Sequence, residues 1–306
     1  MKQFNNTRDF GQAVPANVMK WQYAEPQQGK FDFSLGDQFI KIAKANKQLV
    51  RCHNLVWYEQ TPNWISTTKW TKASLLAAVE NRVKTTIAHY GDSCYCWDVV
   101  NEALNDDGTY RTSIFYNVTG TEYIATAFRA AQETVAKHNL KVKLYYNDYN
   151  IEYPGAKATA AQNNIVKFLK KKNIKIDGVG LQSHFIVGET PSTASQMQNM
   201  ASFSSLGVEV AVTELDIRTT VPVTQAAQQQ QVADFNSTAA ACALTKSCVG
   251  VTLWDFDDTY SWIPSVFTGQ GWGTPWYQPN GTNTPLVKKI AYGGLVSGLQ
   301  AGAKGH

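Results

Sequence analysis

Two rhythms alternate along this chain: short β-branched runs, and longer stretches with apolar residues three and four apart. The short runs predict strands at 10–14, 48–55, 95–100, 142–146, 179–183, 208–213 and 249–254, with Pro15 stopping the first. The longer stretches predict helices at 35–46, 72–90, 122–138, 156–172, 193–204 and 225–244, and a last one from Pro285 through Leu299. In the second helix Leu76, Val79, Val83 and Ile87 form the inward stripe, and Gly91 stops it. In the third the stripe is Ile124, Phe128, Ala131 and Val135. Seven strands separated by amphipathic helices imply a parallel sheet, either a barrel or a doubly wound sheet. No Gly-x-Gly-x-x-Gly and no Gly-x-x-x-x-Gly-Lys-Ser/Thr follows any strand, which disfavours the doubly wound nucleotide-binding alternative. A single α/β barrel domain over residues 1–306 is the expectation, with one strand of eight missing.

Composition narrows the chemistry. The formal net charge is +4 with 17% charged residues, and the one lysine run, Lys170–Lys172, reads as the solvated last turn of a helix. Nucleic acid is therefore not an expected partner. No apolar run of about 18 residues suggests a membrane span, and no signal-peptide pattern opens the chain. The nine Trp, fourteen Tyr and thirteen Phe suit a cleft that stacks on sugar rings, although aromatics also fill ordinary cores. The five cysteines fit no zinc spacing. Cys242 and Cys248 flank a short helix-to-strand connection, Cys52 and Cys94 lie in or before successive strands, and Cys96 is left over. A secreted, disulfide-bearing monomer with no metal and no cofactor is the expectation. Asn-x-Ser/Thr triplets at Asn5, Asn117, Asn236 and Asn280 are about as many as composition alone produces and carry no argument.

Polar and aromatic residues gather where the predicted strands end: His53 and Trp57, Asn101 and Glu102, Asn147 and Asp148, Gln182 and His184, Glu214 and Asp216, Trp254 and Asp255. In a barrel these carboxyl ends meet at one mouth. A single strand-end glutamate is as often a solvated loop carboxylate, and His184 alone could be a satisfied core histidine. The pair Glu102 and Glu214 in a regular βα chain suggests two-carboxylate glycoside hydrolysis, in which one carboxyl protonates the leaving oxygen while the other stays ionised.

Four stretches, Trp97–Leu104 (WDVVNEAL), Tyr146–Asn150 (YNDYN), Gln182–Phe185 (QSHF) and Thr213–Ile217 (TELDI), together resemble glycoside hydrolase family 10, the retaining endo-β-1,4-xylanases, over about residues 10–299. The resemblance implies a (β/α)8 TIM barrel, with Glu102 as acid/base and Glu214 as nucleophile. It implies that Asn17, Lys20, His53, Trp57, Gln60, Asn101, Gln182 and His184 line the glycone subsites. Trp254 and Trp262 then wall the sugar at the cleavage point and Tyr149 stacks on the aglycone side, with Asn147 and Asp216 beside the carboxylates. The partner implied is a β-linked oligo- or polysaccharide.

Three departures bear on the substrate. The family's Thr-Pro-Glu-Asn becomes Val14-Pro15-Ala16-Asn17, its Val-Trp-His becomes Val56-Trp57-Tyr58, and its Trp-Gly-Val-x-Asp-x-x-Ser-Trp-Arg becomes Trp254-Asp255-Phe256-Asp257-Asp258-Thr259-Tyr260-Ser261-Trp262-Ile263. These features resemble a fungal subgroup that includes tomatinase-like enzymes, so a glycoside of a steroidal aglycone is the alternative substrate, and a carbohydrate-binding barrel that has lost turnover is the alternative function. Family members also carry a first strand and most of a first helix ahead of this start. The barrel is therefore expected to lack its first strand, with residues 1–6 forming the end of that helix.

Overall fold

The computed structural model describes residues 7, 9–282 and 284–303. In chain order the elements are β1 (Gln12–Ala13), α1 (Trp21–Ala24), α2 (Ser34–Ala45), β2 (Leu49–Cys52), α3 (Asn63–Thr67), α4 (Lys72–Tyr90), β3 (Cys96–Asn101), α5 (Ile114–Thr119), α6 (Glu122–Lys137) and β4 (Lys143–Asp148). There follow α7 (Ala156–Ala160), a π-helical stretch (Ala161–Lys167), α8 (Phe168–Lys171), β5 (Gly178–Leu181), β6 (His184–Ile186), α9 (Thr193–Ser204), β7 (Glu209–Thr220), α10 (Gln225–Leu244) and β8 (Cys248–Leu253). The chain ends with α11 (Ile263–Val266), β9 (Gln270–Gly271), β10 (Trp276–Tyr277), β11 (Val287–Lys288) and α12 (Ile290–Ala303). All seven predicted strands form, as β1 to β5, β7 and β8. The helix end expected at residues 1–6, and the Asn5 triplet with it, lie outside the described residues.

Two compact units divide the chain: residues 1–148 with 160–178, and 149–159 with 179–306. In the first, β1, β2, β3 and β4 pair in sequence order, all parallel. The β3–β4 register slips between Asp98 and Val100, an extra residue that places Asn101 opposite Asn147. Helix α4 starts on a capping box, with the Thr71 hydroxyl accepting the Ser74 N–H (3.1 Å), and ends at Gly91, whose φ of 48° suits a residue without a side chain. Its buried stripe is Leu75, Val79, Val83 and Ile87, so Leu75 takes the place expected for Leu76. The same face buries Arg82, which no apolar pattern announces. Its guanidinium donates to the carbonyls of Met19 (2.6 Å) and Asn54 (3.2 Å), tying two strand-end loops to the helix. Burial holds the Arg82 pKa down, to about 10.

In the second unit β7 is the long central strand. It pairs in parallel with β8 and, through its last residues, with β6, while β9 returns antiparallel to Thr219 and Thr220. The last helix starts at Ile290 rather than Pro285, because Val287 and Lys288 give their backbone to pairing with β10. Glycines let α12 approach α10 closely: a Cβ on Gly298 would stand 2.6 Å from the Asn236 carbonyl oxygen. Disulfides join Cys52 to Cys94 and Cys242 to Cys248, with Cα–Cα separations of 5.6 and 5.2 Å, and Cys96 is buried outside both, its sulfur accepting from Arg51 (3.3 Å). No described helix is long and apolar enough to cross a membrane.

Inside the first unit Arg51 and Asp98, both 1% exposed, form an ion pair between neighbouring strands. Such a pair is costly to break from one side, because the remaining charge is stranded out of water, and much less costly to replace whole. Asp98→Ala is expected to cost roughly 3–5 kcal/mol of unfolding free energy. Arg51→Met with Asp98→Leu should cost clearly less, as read from urea titrations of the three proteins.

Candidate active site

Each unit carries one candidate carboxylate with its own surroundings. Glu102 follows the last residue of β3, 8% exposed, with its amide donating to the Asn147 carbonyl (2.9 Å). Its φ of 53° lies in the left-handed region, an uncommon state for a residue with a side chain and one found disproportionately at functional sites. The Asn101 side-chain amide donates to Glu102 Oε1 (3.0 Å), and Asn147 Nδ2 donates to Asn101 Oδ1 (2.8 Å). The two expected amides therefore form one chain that ends on the acid.

Around it the predicted glycone residues group in the same unit. Lys20 donates to Asn17 (2.9 Å) and lies 4.7 Å from the centroid of Trp57. The Asn101 amide meets the Val56 carbonyl (2.9 Å), which brings Trp57 alongside the end of β3. Trp57 Nε1 and Gln60 Oε1 are buried without a hydrogen-bond partner among the described residues, as polar atoms meant for a ligand are before it binds. His53 is buried more deeply than a wall residue. Its Nδ1 meets Asp98 (3.0 Å) and its Nε2 receives the Asn54 amide (3.2 Å), so Asp98 fixes the ring and leaves Nδ1 as the donor.

In the second unit Glu214 lies within β7, 5% exposed, its amide held by the Gln182 carbonyl (2.9 Å). His184, the first residue of β6, reaches Glu214 Oε2 with Nε2 (3.3 Å) and Asp216 with Nδ1 (2.9 Å). Trp262 donates its indole N–H to the same Asp216 oxygen (2.7 Å), and its ring stands edge-on to His184 at 4.9 Å. Burial opposes charge on His184, but Asp216 and Glu214 together outweigh it and push its pKa up to about 10. The imidazole is therefore a cation at neutral pH, donating to both carboxylates. Trp254 hangs from the end of β8 by its amide on the Leu215 carbonyl (3.1 Å). Asp255 beside it is half-buried, its pKa raised to about 6 by burial and by the charge of Asp216. Lys157 Nζ lies 3.4 Å from the centroid of the Tyr149 ring.

The structure thus gathers Asn17, Lys20 and Trp57 in one cluster, Asn101, Glu102 and Asn147 in a second, and His184, Glu214, Asp216 and Trp262 in a third. Two groups escaped the sequence reading. Glu152 accepts the Ser183 amide (2.7 Å) just before His184, and its pKa is raised to about 7 by burial. Arg111 reaches back to the carbonyls of Glu102 and Leu104. A polar residue in a loop has no periodicity to reveal it, and only its place after the Asn101–Glu102 stretch marked Arg111.

A histidine whose folded pKa lies above its ordinary 6.5 stabilises the fold fully below pH 6.5, and that contribution is lost as pH rises toward about 10. Urea unfolding of the wild type between pH 6 and 10 should therefore show stability declining across this window. His184→Gln is expected to be less stable at pH 6 and to decline less over the same range.

Comparison with known proteins identifies the family. The model of Glycosyl hydrolase family 10 matches residues 2–293. The chain is 54% identical over 297 residues to Endo-1,4-beta-xylanase D of Talaromyces funiculosus, covering 97% of this chain and 70% of that protein. It is 50% identical over 290 residues to Endo-1,4-beta-xylanase A of Phanerodontia chrysosporium, covering 95% and 68%. Among solved structures, a GH10 xylanase from Bispora sp. MEY-1 with xylobiose superposes with a TM-score of 0.96 at 56% identity, covering 98% of this chain and 91% of that one. The (β/α)8 barrel expected from the strand pattern is the fold of these xylanases, and the chain belongs to glycosyl hydrolase family 10.

Proposed function

We propose that this chain is a secreted endo-1,4-β-xylanase that cleaves xylan with retention of configuration, Glu214 acting as nucleophile and Glu102 as acid/base. In the first step a Glu214 oxygen bonds to the anomeric carbon while Glu102 gives its proton to the departing glycosidic oxygen. In the second, Glu102 takes a proton from water, the water oxygen bonds to the same carbon, and Glu214 leaves. The observation that carries the assignment is the setting of Glu214. It faces the His184 cation, which favours the carboxylate a nucleophile must be, while Glu102 Oε1 accepts from the Asn101 side-chain amide.

Xylan is the favoured substrate because relatives at 54% and 50% identity are named endo-1,4-beta-xylanases and a neighbour at 56% holds xylobiose. Asn17, Lys20, Trp57 and Gln60 supply donors, an acceptor and a flat face for the glycone sugars; Trp254, Trp262 and Tyr149 supply stacking faces. Two disulfides suit an oxidising compartment, which supports secretion. Ala16, Tyr58 and Asp255 favour a second reading, in which the same reaction removes the sugar chain of a steroidal glycoalkaloid.

Reducing-sugar release from soluble xylan and from a glycoalkaloid separates the readings. Turnover of xylan with little of the glycoalkaloid is expected, and binding of xylan without turnover of either would return the chain to a binding role. Glu102→Ala should lower kcat on xylan by roughly 100- to 10,000-fold, the span of general acid catalysis. A 2-fluoro-xylobioside inactivator should add its glycosyl mass to the Glu214 peptide, and labelling elsewhere would remove Glu214 from the nucleophile's role.

A further inference from the structure

If Glu102 is the acid/base, as proposed above, something must hold its left-handed backbone and set the charge around its carboxyl. After β3 the chain turns back on itself, Leu104 bridging antiparallel to Tyr110, and delivers Arg111 beneath the acid. The Arg111 amide donates to the Ala103 carbonyl (2.8 Å), its Nε to the Glu102 carbonyl (3.0 Å) and its Nη2 to the Leu104 carbonyl (3.1 Å). Three successive carbonyls are thus tied to one residue. The planar guanidinium fork is what allows two of these bonds at once.

The other face of that guanidinium is covered by Tyr58, 4.5 Å from ring centroid to the guanidinium carbon. Tyr58 stands where the family's pattern has an imidazole. Burial and the nearby Glu102 charge raise its phenol, so it stays a neutral hydroxyl at any working pH. Tyr58, Arg111 and Glu102 line one small cavity together with Phe115 and Tyr123. Other ionisable groups on this side include Glu59, which hydrogen-bonds Tyr58; Tyr146, which donates to Asp148 and accepts the Ala103 amide (3.1 Å); and Tyr123, which burial and the charge of Asp148 keep a neutral phenol and which has Tyr110, Tyr116 and Arg111 near it.

We propose that Arg111, clamped by Tyr58, is the positioning residue of the acid/base: it locks the Glu102 backbone, and its cation lines the same small cavity as Glu102. The cation favours the anion that remains once the proton has gone to the leaving oxygen, and so assists release in the first step.

The test is the pH profile of kcat/KM for Arg111→Met, Arg111→Lys and Tyr58→Leu on xylotetraose and on p-nitrophenyl xylobioside, whose leaving group needs little protonation. Arg111→Met is expected to lose roughly 10- to 100-fold on xylotetraose but much less on the aryl substrate, with the basic limb moved up by roughly half a pH unit. Arg111→Lys keeps the charge and loses the fork, so its basic limb should stay in place while its rate on xylotetraose falls. Equal losses on both substrates with unmoved limbs, in variants of native circular dichroism, would overturn the inference. If Arg111→Met does not fold, Arg111→Lys and Tyr58→Leu decide it by the same substrate contrast. Glu102→Gln is the control for the underlying reading: full turnover of xylotetraose by that variant would remove Glu102 as the acid/base, a result distinct from failure of the Arg111 assignment.

Discussion

A carboxylate withdrawn from water is tolerated only where donors meet it, and that constraint shapes both halves of this molecule. Glu214 is met by His184, which is charged because Asp216 holds its other nitrogen, and Asp216 in turn receives the Trp262 indole. Glu102 is met by Asn101, which is oriented by Asn147. His53 repeats the logic, its ring fixed by an Asp98 that Arg51 neutralises. Both proposed catalytic carboxylates are thus held by a neighbour that is itself held by another side chain, which fixes their orientation before any sugar arrives.

Backbone geometry delivers these groups. The slip in the β3–β4 register sets Asn101 against Asn147, and the left-handed turn at Glu102 aims the acid off the strand axis. Ser183 takes a similar turn, φ 66°, between Gln182 and His184, and Glu152 caps its amide. Arg82 ties the Met19 and Asn54 carbonyls to α4, so the segments leading into Lys20 and out of His53 share one buried anchor.

The strands and most helices were legible because burying one face imposes a period that the sequence must respect. Helices α4, α9 and α10 have the boundaries predicted from that period and its stop signals. The strand-end carboxylates and their neighbours were legible for a related reason: a polar residue closing a β-branched run needs a partner, and here the partners recur at strand after strand. What the pattern hid were cations turned inward. A hydrophobic rhythm counts Arg as outside, yet Arg51 and Arg82 are buried and Arg111 is partly so, each satisfied by partners distant in sequence or by loop carbonyls. The start of the last helix was misplaced because Pro285 is as good a helix opener as a turn residue, and only the pairing of Val287 and Lys288 with β10 decides between them.

The proposed roles of Glu214 as nucleophile and Glu102 as acid/base amount to a double displacement. Its stereochemistry is the most direct check. Proton NMR of the first sugars released from xylotetraose, taken before mutarotation, is predicted to show the β-anomer. A first product in the α-configuration would mean a single displacement by water and would contradict the account.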